Sequence, residues 1–167
     1  MNVRDVFSQQ EWYNVMNGPS RAGLAVVAVS PSGLTGVIAE ANAIGAVIRE
    51  MIAGGPKTPL LEAMADAYQH TKKEELREMQ QLTRQSSTAR NLGQVKEQAF
   101  ESVRQSVWLV SSKTGPEDVQ AYKDLILRVA ERATGAAKEG GFLGLGGVQV
   151  SDAEKAAIAE LRRVLGQ

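Results

Sequence analysis

Apolar residues recur every three or four positions along most of the chain, and this spacing limits the fold more than any other feature. The clearest run comprises Leu34, Val37, Ile38, Ala41, Ile44, Ile48, Met51 and Ile52, and another comprises Val119, Tyr122, Ile126, Val129 and Ala133. Such spacing places the apolar side chains on one face of an α-helix. Because no segment makes a convincing β-hairpin, the pattern predicts an all-α fold, a compact bundle of about seven or eight helices.

Two helix starts can be located from their capping residues. Ser8 with Glu11, and Ser151 with Glu154, have the spacing of a capping box. In that motif the serine and glutamate side chains each satisfy a free backbone N–H at the first turn. One helix is therefore expected to begin after Ser8, and the last helix of the chain after Ser151.

The segment Asn17-Gly18-Pro19 has the composition of a boundary between two helices. Asn17-Gly18 is expected to end a short first helix, and Pro19 is expected to lie in the first turn of a second. That second helix would contain the apolar run of residues 24–29. A β-strand is the alternative interpretation of this run, because it is rich in β-branched residues.

The chain length of 167 residues is the usual size of one domain. The polar residues 85–88 mark a break between helical stretches, and no segment has the composition of a linker between domains. Residues 1–167 are therefore predicted to form a single helical domain.

Composition excludes several classes of protein. Nineteen basic and nineteen acidic residues balance, whereas a protein that binds double-stranded DNA normally has a basic excess, so double-stranded DNA is not an expected partner. The chain has no cysteine, which excludes disulfides, thiolate zinc sites and iron–sulfur clusters.

The longest apolar run, Leu24 to Val29, is far shorter than the roughly 20 residues of a membrane span. Because the N-terminal sequence MNVRDVFSQQEW also lacks the apolar core of a signal peptide, a cytoplasmic protein without membrane contact is expected.

The most distinctive segment is the glycine-rich loop of residues 140–150, with the sequence GGFLGLGGVQV. It does not match a phosphate-binding loop, because no Gly-Lys-Ser/Thr opens a helix and no strand precedes it. Phe142, Leu143 and Leu145 favour a loop that folds back as an apolar plug and secures the last helix. The same three residues would form an exposed interaction loop in the alternative interpretation, and anion binding by the loop backbone is a third.

This loop also carries a resemblance to a known group of proteins. The stretch GGFLGLGGVQVSDAEKAAIAEL resembles the C-terminal signature of small uncharacterised bacterial all-helical proteins, in which an apolar Gly-Phe-Leu-Gly loop precedes the last helix. The sequence LAVVAVSPSG of Leu24 to Gly33 is similar to the N-terminal half of the same group. The resemblance covers only part of the chain. It implies a helical fold and a bacterial source, and it implies no catalytic residue.

The only histidine, His70, lies among acidic residues at helical spacing. Asp66, His70 and Glu74 are four residues apart and therefore share one helix face, which could bind a divalent metal weakly. A carboxylate-bridged di-iron bundle would need a Glu-x-x-His motif on two helices, and the chain has no second histidine. A hydrated charged face is the favoured interpretation and a metal site is the alternative, so no cofactor is expected.

Two further patterns are not interpreted as functional sites. Lys113-Thr114-Gly115 matches a triad of the penicillin-recognising enzymes, but no serine has a lysine three residues later, as those enzymes also require. The triad is therefore interpreted as a chance match. Trp12 and Trp108 are both predicted to anchor the core, because aromatic side chains gain most from burial.

No set of residues in the sequence forms a complete catalytic or cofactor motif. The first hypothesis is a non-enzymatic structural or interaction protein that self-associates through an apolar helix face, with a homo-oligomer or another protein as its partner. The alternative is a helical domain that binds a small ligand or a metal. An enzyme of unknown class is the third hypothesis.

Overall fold

All regular structure in the described part of the chain is helical. The computed structural model describes residues 2–29, 33–70, 92–139 and 150–167, and these contain no strand. A short 3-10 helix, Val3–Val6, is followed by six α-helices: α1 (Gln9–Val27), α2 (Gly33–Gly54), α3 (Pro59–His70), α4 (Leu92–Lys113), α5 (Pro116–Glu139) and α6 (Asp152–Leu165). The all-α prediction is confirmed. Among the described helices, none is both long and apolar enough to cross a membrane.

Both predicted capping boxes are present. The Ser8 N–H donates to Glu11 Oε2 at 2.7 Å, and the Glu11 N–H donates to Ser8 Oγ at 3.2 Å. Ser151 and Glu154 form the same pair of hydrogen bonds, at 2.7 and 3.2 Å. The starts of α1 and α6 therefore follow directly from local sequence.

The predicted helix boundary at Asn17-Gly18-Pro19 is wrong, because α1 continues through it. A proline inside a helix lacks the N–H that would bind the carbonyl four residues earlier, which here belongs to Val15. The Tyr122 hydroxyl donates to that Val15 carbonyl at 2.6 Å. The Tyr68 hydroxyl donates to the next carbonyl, that of Met16, at 2.8 Å. Hydrogen bonds from two distant tyrosines thus satisfy the carbonyls around Pro19, and the predicted first and second helices form one.

The merger removes one helix from the predicted seven or eight, and the described residues contain six α-helices. The charge-rich stretch from Thr71 to Arg84, the predicted break at residues 85–88 and residues 140–149 of the glycine-rich loop lie outside the described residues.

Gly18 allows α5 to approach α1 closely. A Cβ atom at this position would overlap the Tyr122 hydroxyl and would lie 2.6 Å from Ser106 Oγ. Both neighbours are completely buried, so neither can move into solvent. Glycine is therefore required here for the packing of α1 against α4 and α5.

The core is arranged around α1, which packs against α2, α4, α5 and α6. Residues 24–27 of the apolar run are helical, so the strand alternative is wrong. Apolar side chains of all six helices join one buried cluster. From α6, Ala157, Leu161 and Leu165 contribute to it, while Ile158 and Val164 are only partly buried.

The position of α3 is set by a carboxylate from α5. Asp118 Oδ1 accepts a hydrogen bond from the Leu60 N–H at 2.9 Å, and Thr58 Oγ1 accepts one from the Leu61 N–H at 3.4 Å. Asp118 is buried in the first turn of α5. Its negative charge therefore lies near the amino ends of two helices, where the helix dipoles stabilise it. This contact holds the start of α3 against the start of α5.

Candidate functional site

The most unusual surface feature of the described chain is Trp108 on α4. Its side chain is 67% exposed, and no other large apolar side chain is exposed among those described. The prediction that Trp108 anchors the core is therefore wrong. The same prediction for Trp12 is confirmed, because Trp12 is 8% exposed and its ring lies 5.8 Å from that of Phe7.

Helical spacing explains why Trp108 is outside the core. The buried residues of α4 are Ala99, Phe100, Val103, Ser106, Val107, Leu109 and Val110. Successive helical residues are rotated by about 100°, so Trp108 lies well outside that stripe. One turn away on either side are Arg104, Gln105, Ser111 and Ser112, all of which are exposed. We define the exposed residues 104, 105, 108, 111 and 112 as the Trp108 face.

The Trp108 face carries one positive charge. Arg104 donates to Glu101 Oε2 at 3.0 Å in an ion pair whose side chains are about half exposed. Such exposed pairs contribute about 0–1 kcal/mol. Since Gln105, Ser111 and Ser112 are neutral, covering this face would remove few charges from water.

A second feature is a groove between the end of α2 and α3, with a volume of about 290 Å³ and open to solvent on one side. Its floor is apolar and is formed by Ile52, Leu61 and Ala65. Glu62 and Asp66 on α3 are exposed at its rim. The Lys57 ammonium at the rim donates to the Ala53 carbonyl at 3.1 Å, which ties it to the end of α2. The groove therefore combines an apolar floor with an acidic edge.

The predicted metal-binding residues are only partly covered by the structure. Asp66 Oδ1 and His70 Nδ1 are 3.0 Å apart, and both side chains are 73% exposed. Glu74 lies outside the described residues. No group of three potential metal ligands is found among the residues that the structure describes. The hydrated-face interpretation and the metal-site alternative for Asp66, His70 and Glu74 both stay predictions.

The predicted interaction loop of Phe142, Leu143 and Leu145 also lies outside the described residues. The apolar plug, the exposed interaction loop and the anion-binding loop therefore stay hypotheses. What the structure does describe is the helix that follows: Leu161 and Leu165 of α6 are buried against the bundle.

Lys113, the lysine of the Lys-Thr-Gly triad, has structural contacts. Its ammonium donates to Glu11 Oε2 at 2.8 Å and to the Val6 carbonyl at 3.2 Å, and it lies 5.9 Å from the centre of the Phe7 ring. The hydrogen bond from Lys113 is the main reason why the pKa of Glu11 is lowered, and the capping contact with Ser8 adds to the effect. Lys113 thus joins the end of α4 to the start of α1.

The part of the chain that the structure describes therefore offers two surface features for binding: the Trp108 face on α4 and the groove between α2 and α3. Comparison of the chain with family models, with curated proteins and with solved structures finds no match. Function must therefore be inferred from the surface of the molecule itself.

Proposed function

We propose that the protein is a non-enzymatic interaction protein that self-associates through the Trp108 face. The observation that carries the proposal is the 67% exposure of Trp108, in a helix whose other large apolar side chains are buried where the structure describes them. Tryptophan and arginine are the residues most enriched at the energetic centres of protein interfaces. Trp108 and Arg104 are one helical turn apart, so a single partner surface can contact both.

The chain itself offers a surface suited to this face, which favours a second copy as the partner. The groove between α2 and α3 has an apolar floor for an aromatic ring and carboxylates for an arginine. Aromatic side chains bury about 150–250 Å² each, so Trp108 alone would contribute a large share of the contact.

Replacement of Trp108 by serine tests this proposal. Truncation of an interface centre costs 2 kcal/mol or more, so we expect self-association to weaken by roughly 30-fold or more. The mass measured by light scattering should rise with concentration for the original chain and stay near that of one chain for Trp108→Ser.

The matched control is Arg128→Ala, which alters an exposed residue on α5 and should leave the assembly unchanged. Circular dichroism and thermal melting of both variants will show that the fold is retained. An original chain that remains a single copy at every concentration, or a Trp108→Ser variant that assembles equally well, would contradict the proposal.

The groove also supports a second candidate function, the binding of a small ligand. Its volume of about 290 Å³ is at the lower limit of ligand pockets, which span roughly 300–1,000 Å³. With Glu62 and Asp66 at the rim, a small cation with an apolar body would suit it best. The size of the groove favours one aromatic side chain over a cofactor, and self-association therefore ranks first.

A further inference from the structure

We infer that self-association is head-to-tail: Trp108 of one copy occupies the groove between α2 and α3 of the next. This inference rests on the proposed self-association and adds the identity of the receiving surface. It follows from the size of the groove, its charge and its position relative to Trp108.

The floor of the groove suits an indole ring. Ile52 and Leu61 are almost fully buried, and Ala65 between the rim carboxylates has only a methyl group. An indole also carries one N–H, which needs an acceptor when it leaves water. The carboxylates of Glu62 and Asp66 at the rim provide such acceptors. A groove whose lining combines apolar side chains with acceptors at the rim matches both parts of the tryptophan side chain.

The charges of the two surfaces are complementary. Arg104 lies one turn before Trp108, and the groove has two acidic residues at its rim. The ion pair of Arg104 with Glu101 and the contact of His70 Nδ1 with Asp66 Oδ1 are both exposed. Because exposed pairs are worth little, they can be exchanged for a contact between copies at small cost. Among the described residues that line the groove, Lys57 is the basic one, and its ammonium is bound to the Ala53 carbonyl.

The positions of the two surfaces favour a head-to-tail arrangement. Trp108 does not line the groove, and α4 packs mainly against α1, α5 and α6 rather than against α2 or α3. We call Trp108 the donor and the groove the receiver of this contact. Since the two are different patches, each copy can use its tryptophan on one neighbour and its groove on another. Such a heterologous contact generates rings or open chains, whereas a reciprocal exchange of the same two patches about a two-fold axis would close at two copies.

Complementation between two variants tests this inference. Trp108→Ser removes the donor and keeps the groove. The double variant Glu62→Arg, Asp66→Arg reverses the charge of the rim through two exposed residues and keeps the donor. A second receiver variant, Ala65→Arg, fills the floor directly, so the test does not depend on the charge reversal alone. Circular dichroism of each variant establishes that it is folded.

We expect the original chain to form species larger than two copies as concentration rises. Each variant alone should sediment as a single chain in analytical ultracentrifugation, with self-association at least tenfold weaker. An equimolar mixture of a donor variant and a receiver variant should regain association and stop at two chains, because only one tryptophan and one groove remain.

The other possible outcomes contradict either the head-to-tail inference alone or the proposed function as well. If the receiver variants assemble like the original chain while Trp108→Ser does not, the head-to-tail inference fails and self-association through the Trp108 face stands. An original chain that stops at two copies, or a mixture that does not associate, also overturns the inference. If Trp108→Ser assembles normally, both the inference and the proposed function fail.

Discussion

Gly18→Ala is expected to lower the free energy of unfolding by about 2–5 kcal/mol, although alanine is the better helix former. The added methyl group would overlap the Tyr122 hydroxyl and crowd Ser106 Oγ. Tyr122 must then move away from the Val15 carbonyl, to which it donates at 2.6 Å. Because Pro19 cannot supply an N–H to that carbonyl, it would be left buried without a donor. Urea unfolding followed by circular dichroism measures the loss.

Gly45→Ala on α2 is the matched control for this prediction. It makes the same change inside a helix, at a position where a Cβ would meet nothing within 4 Å. We expect it to stabilise the protein by up to about 1 kcal/mol, the ordinary difference in helix propensity. Addition of Tyr122→Phe to Gly18→Ala should relieve part of the overlap. A Gly18→Ala variant as stable as the original chain would contradict this account of α1.

The second large effect is expected at alkaline pH. Burial raises the pKa of both Tyr68 and Tyr122, against smaller lowering effects of Arg49 on Tyr68 and of Ser106 on Tyr122. In the unfolded chain both phenols ionise near pH 10. Their contribution to stability is therefore complete below about pH 10 and is lost as the pH rises above it, by up to about 1.4 kcal/mol per pH unit for each tyrosine. Urea unfolding measured from pH 8 upward will give this slope.

Tyr122→Phe provides the control, because it removes one of the two phenols whose pKa is raised. The variant should be less stable at pH 8, since the Val15 carbonyl loses its donor. Above pH 10 its free energy of unfolding should fall less steeply with pH than that of the original chain, because one tyrosine fewer takes part. Absorbance of the folded protein should show that these two of its three tyrosines resist ionisation. Equal slopes for the original chain and the variant would show that burial does not control the pKa of Tyr122.

Local sequence was sufficient to predict those features of the fold that depend on neighbours in the chain. The capping boxes at Ser8 and Ser151 involve residues only three positions apart, and both form as expected. The continuity of α1 through Pro19 depends instead on Tyr68 and Tyr122, which are 52 and 107 residues from the carbonyls they bind. Local patterns contain no information about such contacts.

The exposure of Trp108 and the groove between α2 and α3 also differ in whether local sequence could have predicted them. The exposure of Trp108 could have been predicted from helical spacing, because it lies off the stripe that contains Phe100, Val103 and Val107. The general preference of tryptophan for the core obscured this signal. The groove could not have been predicted, because it depends on how α3 lies beside α2. That position is held partly by Asp118, which is 58 residues from Leu60.

The most direct test of the proposed self-association is the fluorescence of Trp108 itself. The chain has two tryptophans, so Trp12→Phe leaves Trp108 as the sole reporter, while a phenyl ring next to Phe7 preserves the apolar contact. As concentration rises and copies associate, the Trp108 emission should move to shorter wavelength and its quenching by iodide should decrease. If the emission and the quenching stay constant while light scattering shows assembly, the contact does not involve Trp108 and the account is contradicted.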